Sequence, residues 1–177
     1  MDEEQKLAVS KALRCLSAIV GEYVWWARNG ADDVLRLEFG NPHLVVQEPM
    51  QLSQDSSRTV IDALGRRIVE PAGKWHLFIE DGDWAIVTRS YGTRRFDADR
   101  ARTDAALRQL DGQKLTSVDY LDRTGTWYLK FDLGGSLTIS RSTPVDNARL
   151  EDSAWVLFCE DGTYLSFGND MRARRKE

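Results

Sequence analysis

The chain has 177 residues, of which 42% are hydrophobic and 29% charged, with 13 glycines and 4 prolines. That is the composition of one ordinary domain or two small lobes, and it excludes disordered, collagen-like and disulfide-scaffold classes. The formal charge of −4 argues against nucleic acid as a partner, and no apolar run approaches the roughly 20 residues that cross a bilayer.

The acidic start, Met1-Asp2-Glu3-Glu4, reads as neither a secretion signal nor a transit peptide. With two cysteines, Cys15 and Cys159, a reducing, cytoplasmic setting without a disulfide is expected. Leu7, Leu13, Leu16 and Val20 recur at roughly helical spacing, which predicts a helix over residues 5–18. A strand follows Gly21 and carries the pair Trp25-Trp26. Adjacent strand residues face opposite ways, so one indole is expected in the core and the other outside. Leu35, Leu37 and Phe39 alternate with Val34, Arg36 and Glu38, the pattern of a half-solvated antiparallel strand. Gly40-Asn41-Pro42 turns the chain into a third strand at residues 44–46. A fourth carries Trp75-x-Leu77-Phe78, and Asp81-Gly82 signals a hairpin into a fifth.

The order then recurs. Ala106 to Leu110 answers Ala12 to Leu16, and Gly112-Gln113-Lys114-Leu115 answers Gly21-Glu22-Tyr23-Val24. Thr126 to Phe131 answers Val34 to Phe39, with Gly134-Gly135 as the following turn. Trp155 to Gly162 matches Trp75 to Gly82 at six of eight positions. The expected fold is therefore α+β. It is an internal duplication of a helix plus an antiparallel four- or five-stranded meander, in two pseudo-equivalent repeats packed together. Residues 1–92 form repeat 1, with an insertion at 47–74, and residues 93–177 form repeat 2. Within the insertion the apolar residues Val60, Ile61, Ala63 and Leu64 predict a strand or short helix packed on repeat 1. Residues 171–177 lack an apolar period and read as frayed.

The residue pattern supplies no catalytic constellation. Two histidines, His43 and His76, show no zinc spacing, so neither a metal nor a cofactor is expected. His76 reads as solvated or hydrogen-bonded. Cys159 alternates with Trp155 and Leu157 and reads as core. The acidic Asp-Gly stretches lack the ligand spacing of a calcium loop. No Gly-x-Ser-x-Gly elbow or phosphate-binding glycine loop is present.

What remains points to a protein partner. Trp25 and Trp26 are candidate contacts because tryptophan is enriched at binding hot spots. Gln54, Asp55 and Arg58 belong to the inserted polar run, which the shared fold does not need. Arg94 and Arg95 head a basic cluster after the first repeat. Leu110, Gly112, Leu115, Phe131, Trp155, Leu157, Asp161 and Gly162 together resemble a class of small bacterial domains, some of them of the immunity-protein type found in polymorphic-toxin systems. The resemblance implies a non-enzymatic, immunity-like protein that covers a toxin or other partner. The alternative is a small-molecule or nucleotide sensor with its pocket between the repeats.

Overall fold

A computed structural model of the chain describes residues 2–30, 33–51, 57–97, 99–140, 153–168 and 173–176. The fold is α+β with antiparallel sheets. Helix α1 (Glu3–Ser17) starts on a reciprocal capping box between Asp2 and Gln5 and buries Ala8, Val9, Ala12 and Leu16. Helix α3 (Arg100–Leu110) is capped by Asp99 and buries Thr103, Ala106, Leu107 and Leu110. Leu7 and Val20, expected on the buried stripe, are exposed.

One sheet has six strands, in the order β1 (Val24–Asn29), β2 (Leu35–Phe39), β5 (Trp75–Ile79), β11 (Ser153–Cys159), β12 (Tyr164–Gly168) and β13 (Ala173–Lys176). The other has five: β7 (Gly92–Arg94), β6 (Asp83–Val87), β10 (Ser136–Ser140), β9 (Thr126–Phe131) and β8 (Leu115–Leu121). The inner faces share one apolar core. Trp127 of β9 stands edge-on to Trp155 of β11 at 5.4 Å and to Phe167 of β12 at 5.0 Å. Helix α1 packs against β8 and β12, while α3 packs against β1 and β7, so each helix bridges the two sheets. No described helix is long and apolar enough to cross a membrane.

Each sheet is built by both halves of the chain. Strands β1-β2-β5 are extended by β11 and β12 from the second half; β8-β9-β10 are extended by β6 and β7 from the first. Leu37 pairs with Leu77, and Leu129 with Leu137. The next strands continue these rows with Leu157 and Ile86. Trp155 stands two residues before Leu157, as Trp84 stands two before Ile86. The expected match of Trp75 with Trp155 is therefore overturned: β5 and β11 are hydrogen-bonded neighbours in one sheet. The aligned glycine segments do meet reciprocally. Gly21 N–H donates to Leu115 O and Gly112 N–H to Val24 O, both at 2.8 Å. Val24 N–H donates to Gln113 O, and Leu115 N–H to Glu22 O. Both glycines have positive φ, 93° and 83°, which the turn out of each helix requires.

Asp81-Gly82 does not turn a hairpin. It carries the chain from one sheet to the other, and a Cβ on Gly82 would lie 2.9 Å from Ala154 O. Asp161-Gly162 does turn one, between β11 and β12. Residues 173–176, expected to fray, pair with β12 as a basic edge strand. The division drawn between residues 92 and 93 falls within β7, the edge strand of the five-stranded sheet.

Candidate functional site

The described residues 43–51 and 57–72 form an arm that belongs to neither sheet. Strands β3 (His43–Gln47) and β4 (Ile68–Ala72) pair with each other as a two-stranded ribbon. The apolar run Leu44-Val45-Val46, expected in the main sheet, is here because β5 takes the place beside β2. Pairs Leu44–Pro71 and Val46–Val69 lie on one side of the ribbon. Leu44, Val46 and Val69 are 70%, 51% and 53% exposed. Beyond the ribbon, Arg67 grips Glu48 with one guanidinium edge, Nε and Nη2 donating to the two carboxylate oxygens at 2.8–3.0 Å. Helix α2 (Arg58–Leu64) is capped by Ser57, and Met50 N–H donates to Leu64 O. The helix forms where the apolar group predicts one, but it does not pack on the sheets: Val60, Ile61 and Leu64 are exposed. A lone two-stranded ribbon is marginal in water, and contiguous exposed apolar surface marks an interaction site. β3 carries neither proline nor charge, the usual devices that protect an edge.

The arm is fixed at its root by Glu38. This side chain points away from the core, opposite Leu37 and Phe39, yet the residue is only 1% exposed. One oxygen accepts Gly73 N–H at 2.8 Å, and the other lies 2.5 Å from His76 Nδ1, where the ring N–H donates to it. The ring stacks on Phe78 at 3.9 Å. The inner side of the arm, His43, Val45 and Ala72, faces Phe78 and Phe158 across a cavity of about 230 Å³. His43 Nδ1 and His76 Nε2 are buried there without hydrogen-bond partners among the described residues. Among the described residues no three His, Cys, Asp or Glu side chains are grouped to hold a metal ion.

Trp25 and Trp26 do not divide between core and solvent. Both are half-buried, and they stack at 6.3 Å with planes 10° apart. Alternation fails because Trp26 adopts φ 53° at a bulge against β2. Trp25 Nε1 donates to Gly40 O at 2.8 Å, just before the arm begins, and the Arg28 guanidinium lies 3.7 Å over the Trp26 ring. These indoles brace the bulge and the arm root.

At the bulge, Ala27 N–H donates to Asp111 Oδ1 at 2.7 Å. Burial pushes the Asp111 carboxyl above its usual range, and the Ala27 N–H partly offsets this. The folded state therefore holds this proton more tightly than the unfolded chain. Stability falls as pH rises from the unfolded value of 3.8 through the raised folded value. Asp111→Asn keeps the acceptor without the charge. It is expected to flatten that slope and melt slightly higher at neutral pH. Asp111→Ala loses the acceptor and is expected to cost about 1 kcal/mol. Thermal melts from pH 3.5 to 7 read both.

Arg58 opens α2 and is exposed, with Asp62 at 3.8 Å one turn on. Gln54 and Asp55 lie outside the described residues. Arg94 is exposed at the end of β7, in the other sheet. Arg95 braces the crossing, with Nη1 donating to Gly82 O at 3.2 Å and its guanidinium 4.7 Å over Phe96. Trp25, Trp26 and Arg58 thus belong to the arm or its root, while Arg94 and Arg95 belong to the five-stranded sheet. Reasoning from the sequence missed Leu44, Val46, Val69, Glu38 and Gly73. Pro71 opposite an apolar run was the available signal that this ribbon is not central sheet.

The chain matches no family model, no curated protein and no solved structure.

Proposed function

We propose that this chain is a protein-binding module that engages its partner through the arm. The carrying observation is the outward side of the ribbon, where Leu44, Val46, Val69 and Pro71 are all exposed on a hairpin that pairs with neither main sheet. A partner that covers this side removes apolar area from water, and backbone pairing along β3 adds register. The immunity-type reading agrees with this: such a protein blocks a toxin by covering it, and an arm on a rigid two-sheet body suits that task. The role is binding rather than catalysis, in a reducing cytoplasm.

The same reading takes the fold as a duplicated unit. Support comes from the reciprocal bonds of Gly21 and Gly112 and from the exchange of closing strands between the sheets. On that view the arm is the addition made to one copy, since β9 passes directly to β10 while β2 reaches β5 only through residues 40–74.

The test separates folding from binding. Leu44→Glu with Val46→Glu changes exposed residues, so circular dichroism and the melting temperature are expected to stay near those of the parent protein. Co-purification with neighbouring gene products in the native host is expected to recover a toxin-like partner with the parent protein. The paired variant is expected to bind it at least about tenfold more weakly. Full binding by the folded variant would end the assignment.

A further inference from the structure

The two cysteines, 144 positions apart in sequence, line one cavity. It lies between α1 and the β11–β12 hairpin, on the side of the molecule where the first helix meets the six-stranded sheet. Its volume is about 390 Å³, within the range of small-molecule sites. From the helix come Lys11, Arg14 and Cys15, which share a face at spacings of three and four residues. From the sheet come Cys159 and Leu165, the latter buried.

The charges on these walls have one sign. Among the described residues no carboxylate lines the cavity. Neither Lys11 nor Arg14 has a carboxylate partner among the described residues, although Lys6, Arg58, Arg67, Arg100 and Lys130 each have one. The nearby Asp161 is turned to its own hairpin, where Oδ1 accepts both the N–H and the hydroxyl of Thr163. Two exposed cations with no described carboxylate partner, beside a cavity on a chain of net charge −4, make a local positive field. The rest of the lining is Thr163, Tyr164, the buried Leu165 and the two polarisable thiols.

We propose that this cavity binds a small organic anion, with its carboxylate or phosphate between Lys11 and Arg14 and an apolar body against Leu165 and the thiols. The volume exceeds what an inorganic ion fills, so the apolar body is part of the recognition. The site is distinct from the arm and does not depend on it.

The cysteines are built-in reporters, because the chain has no others. The intact protein is alkylated with anionic iodoacetate or neutral iodoacetamide, and the rate at each cysteine is followed by mass spectrometry. The iodoacetate-to-iodoacetamide rate ratio is expected to be about fivefold higher in the folded protein than in the same protein in urea at equal ionic strength. Lys11→Glu with Arg14→Glu is expected to remove that excess. Benzoate and phenyl phosphate at millimolar concentration then serve as competitors, with inorganic phosphate as control. Protection by phenyl phosphate alone assigns a phosphate ligand, and protection by benzoate alone a carboxylate. Equal protection by inorganic phosphate overturns the organic part of the proposal. Melting temperature with the same three compounds is the second readout, so thiols that react slowly leave the test intact. A ratio equal to that in urea and indifferent to charge reversal, with no melting shift for benzoate or phenyl phosphate, overturns the proposal.

Discussion

Replacing Trp155 with alanine is expected to cost about 3–5 kcal/mol, the usual penalty for truncating a fully buried aromatic. A domain of this size is stable by only about 5–15 kcal/mol, so the variant sits near the folding threshold. Trp155 has no exposed surface, stacks on Phe167 at 5.8 Å and meets Trp127 edge-on. Its side chain therefore holds the six-stranded sheet to the five-stranded one. Trp75→Ala is expected to cost less than half as much. Trp75 is only partly buried, at the sheet margin, with the Lys74 ammonium 4.3 Å over its ring. Urea denaturation followed by circular dichroism compares the two. Equal penalties would mean that Trp75 contributes as much to the core as Trp155, against its partial burial.

That contrast shows what is legible in the residues and what is not. Alternation at Leu35-Leu37-Phe39 and Trp127-Leu129-Phe131 gives β2 and β9, because each has one face on the core. The glycine segments after both helices are recognisable because a positive φ leaves a compositional trace. The exchange of strands between sheets leaves none. Whether Asp81-Gly82 turns a hairpin or crosses to another sheet depends on partners far along the chain, and local pattern is the same in both cases. Leu44-Val45-Val46 looks like core strand since periodicity reports apolarity, not coverage. Glu38 looks solvated for the opposite reason: its alternation points it outward, and only the returning arm at Gly73 covers it. The proximity of Cys15 and Cys159 is likewise a product of the docking of α1 and appears in no spacing.

The second large effect is expected at Glu38. Glu38→Ala leaves the Gly73 N–H and the His76 ring N–H without their acceptor, in a place that Glu38 itself reaches with 1% exposure. Each buried, unsatisfied donor costs about 1–3 kcal/mol. Glu38→Gln retains one carbonyl oxygen and is expected to fall between the parent protein and Glu38→Ala. Gly73→Ala attacks the same joint sterically. A Cβ there would lie 2.6 Å from Phe39 O and 2.8 Å from Phe39 N, backbone atoms fixed within the sheet. All three changes are expected to release the arm before the body. Hydrogen exchange at Val45, Val46 and Val69 should accelerate more than at Leu77 or Leu137. A double-mutant cycle of Glu38→Ala with His76→Ala isolates the carboxylate–imidazole contact. A uniform rise in exchange across the molecule would show that Glu38 supports the whole fold and not the arm in particular.

The exchange of closing strands also sets the order in which the molecule can assemble. β6 and β7 leave the first half to join β10, which is made about fifty residues later, and β5 lacks its far neighbour until β11 has been synthesised. During translation the first half therefore emerges with open sheet margins and no completed layer. Such long-range pairing carries a loop-closure penalty before any contact rewards it, so folding falls at the slow end for a chain of this length. Neither half completes a sheet from its own strands, and a nascent chain stalled before β11 holds the arm and an unpaired edge of β5 exposed together, the state most prone to capture by another nascent copy.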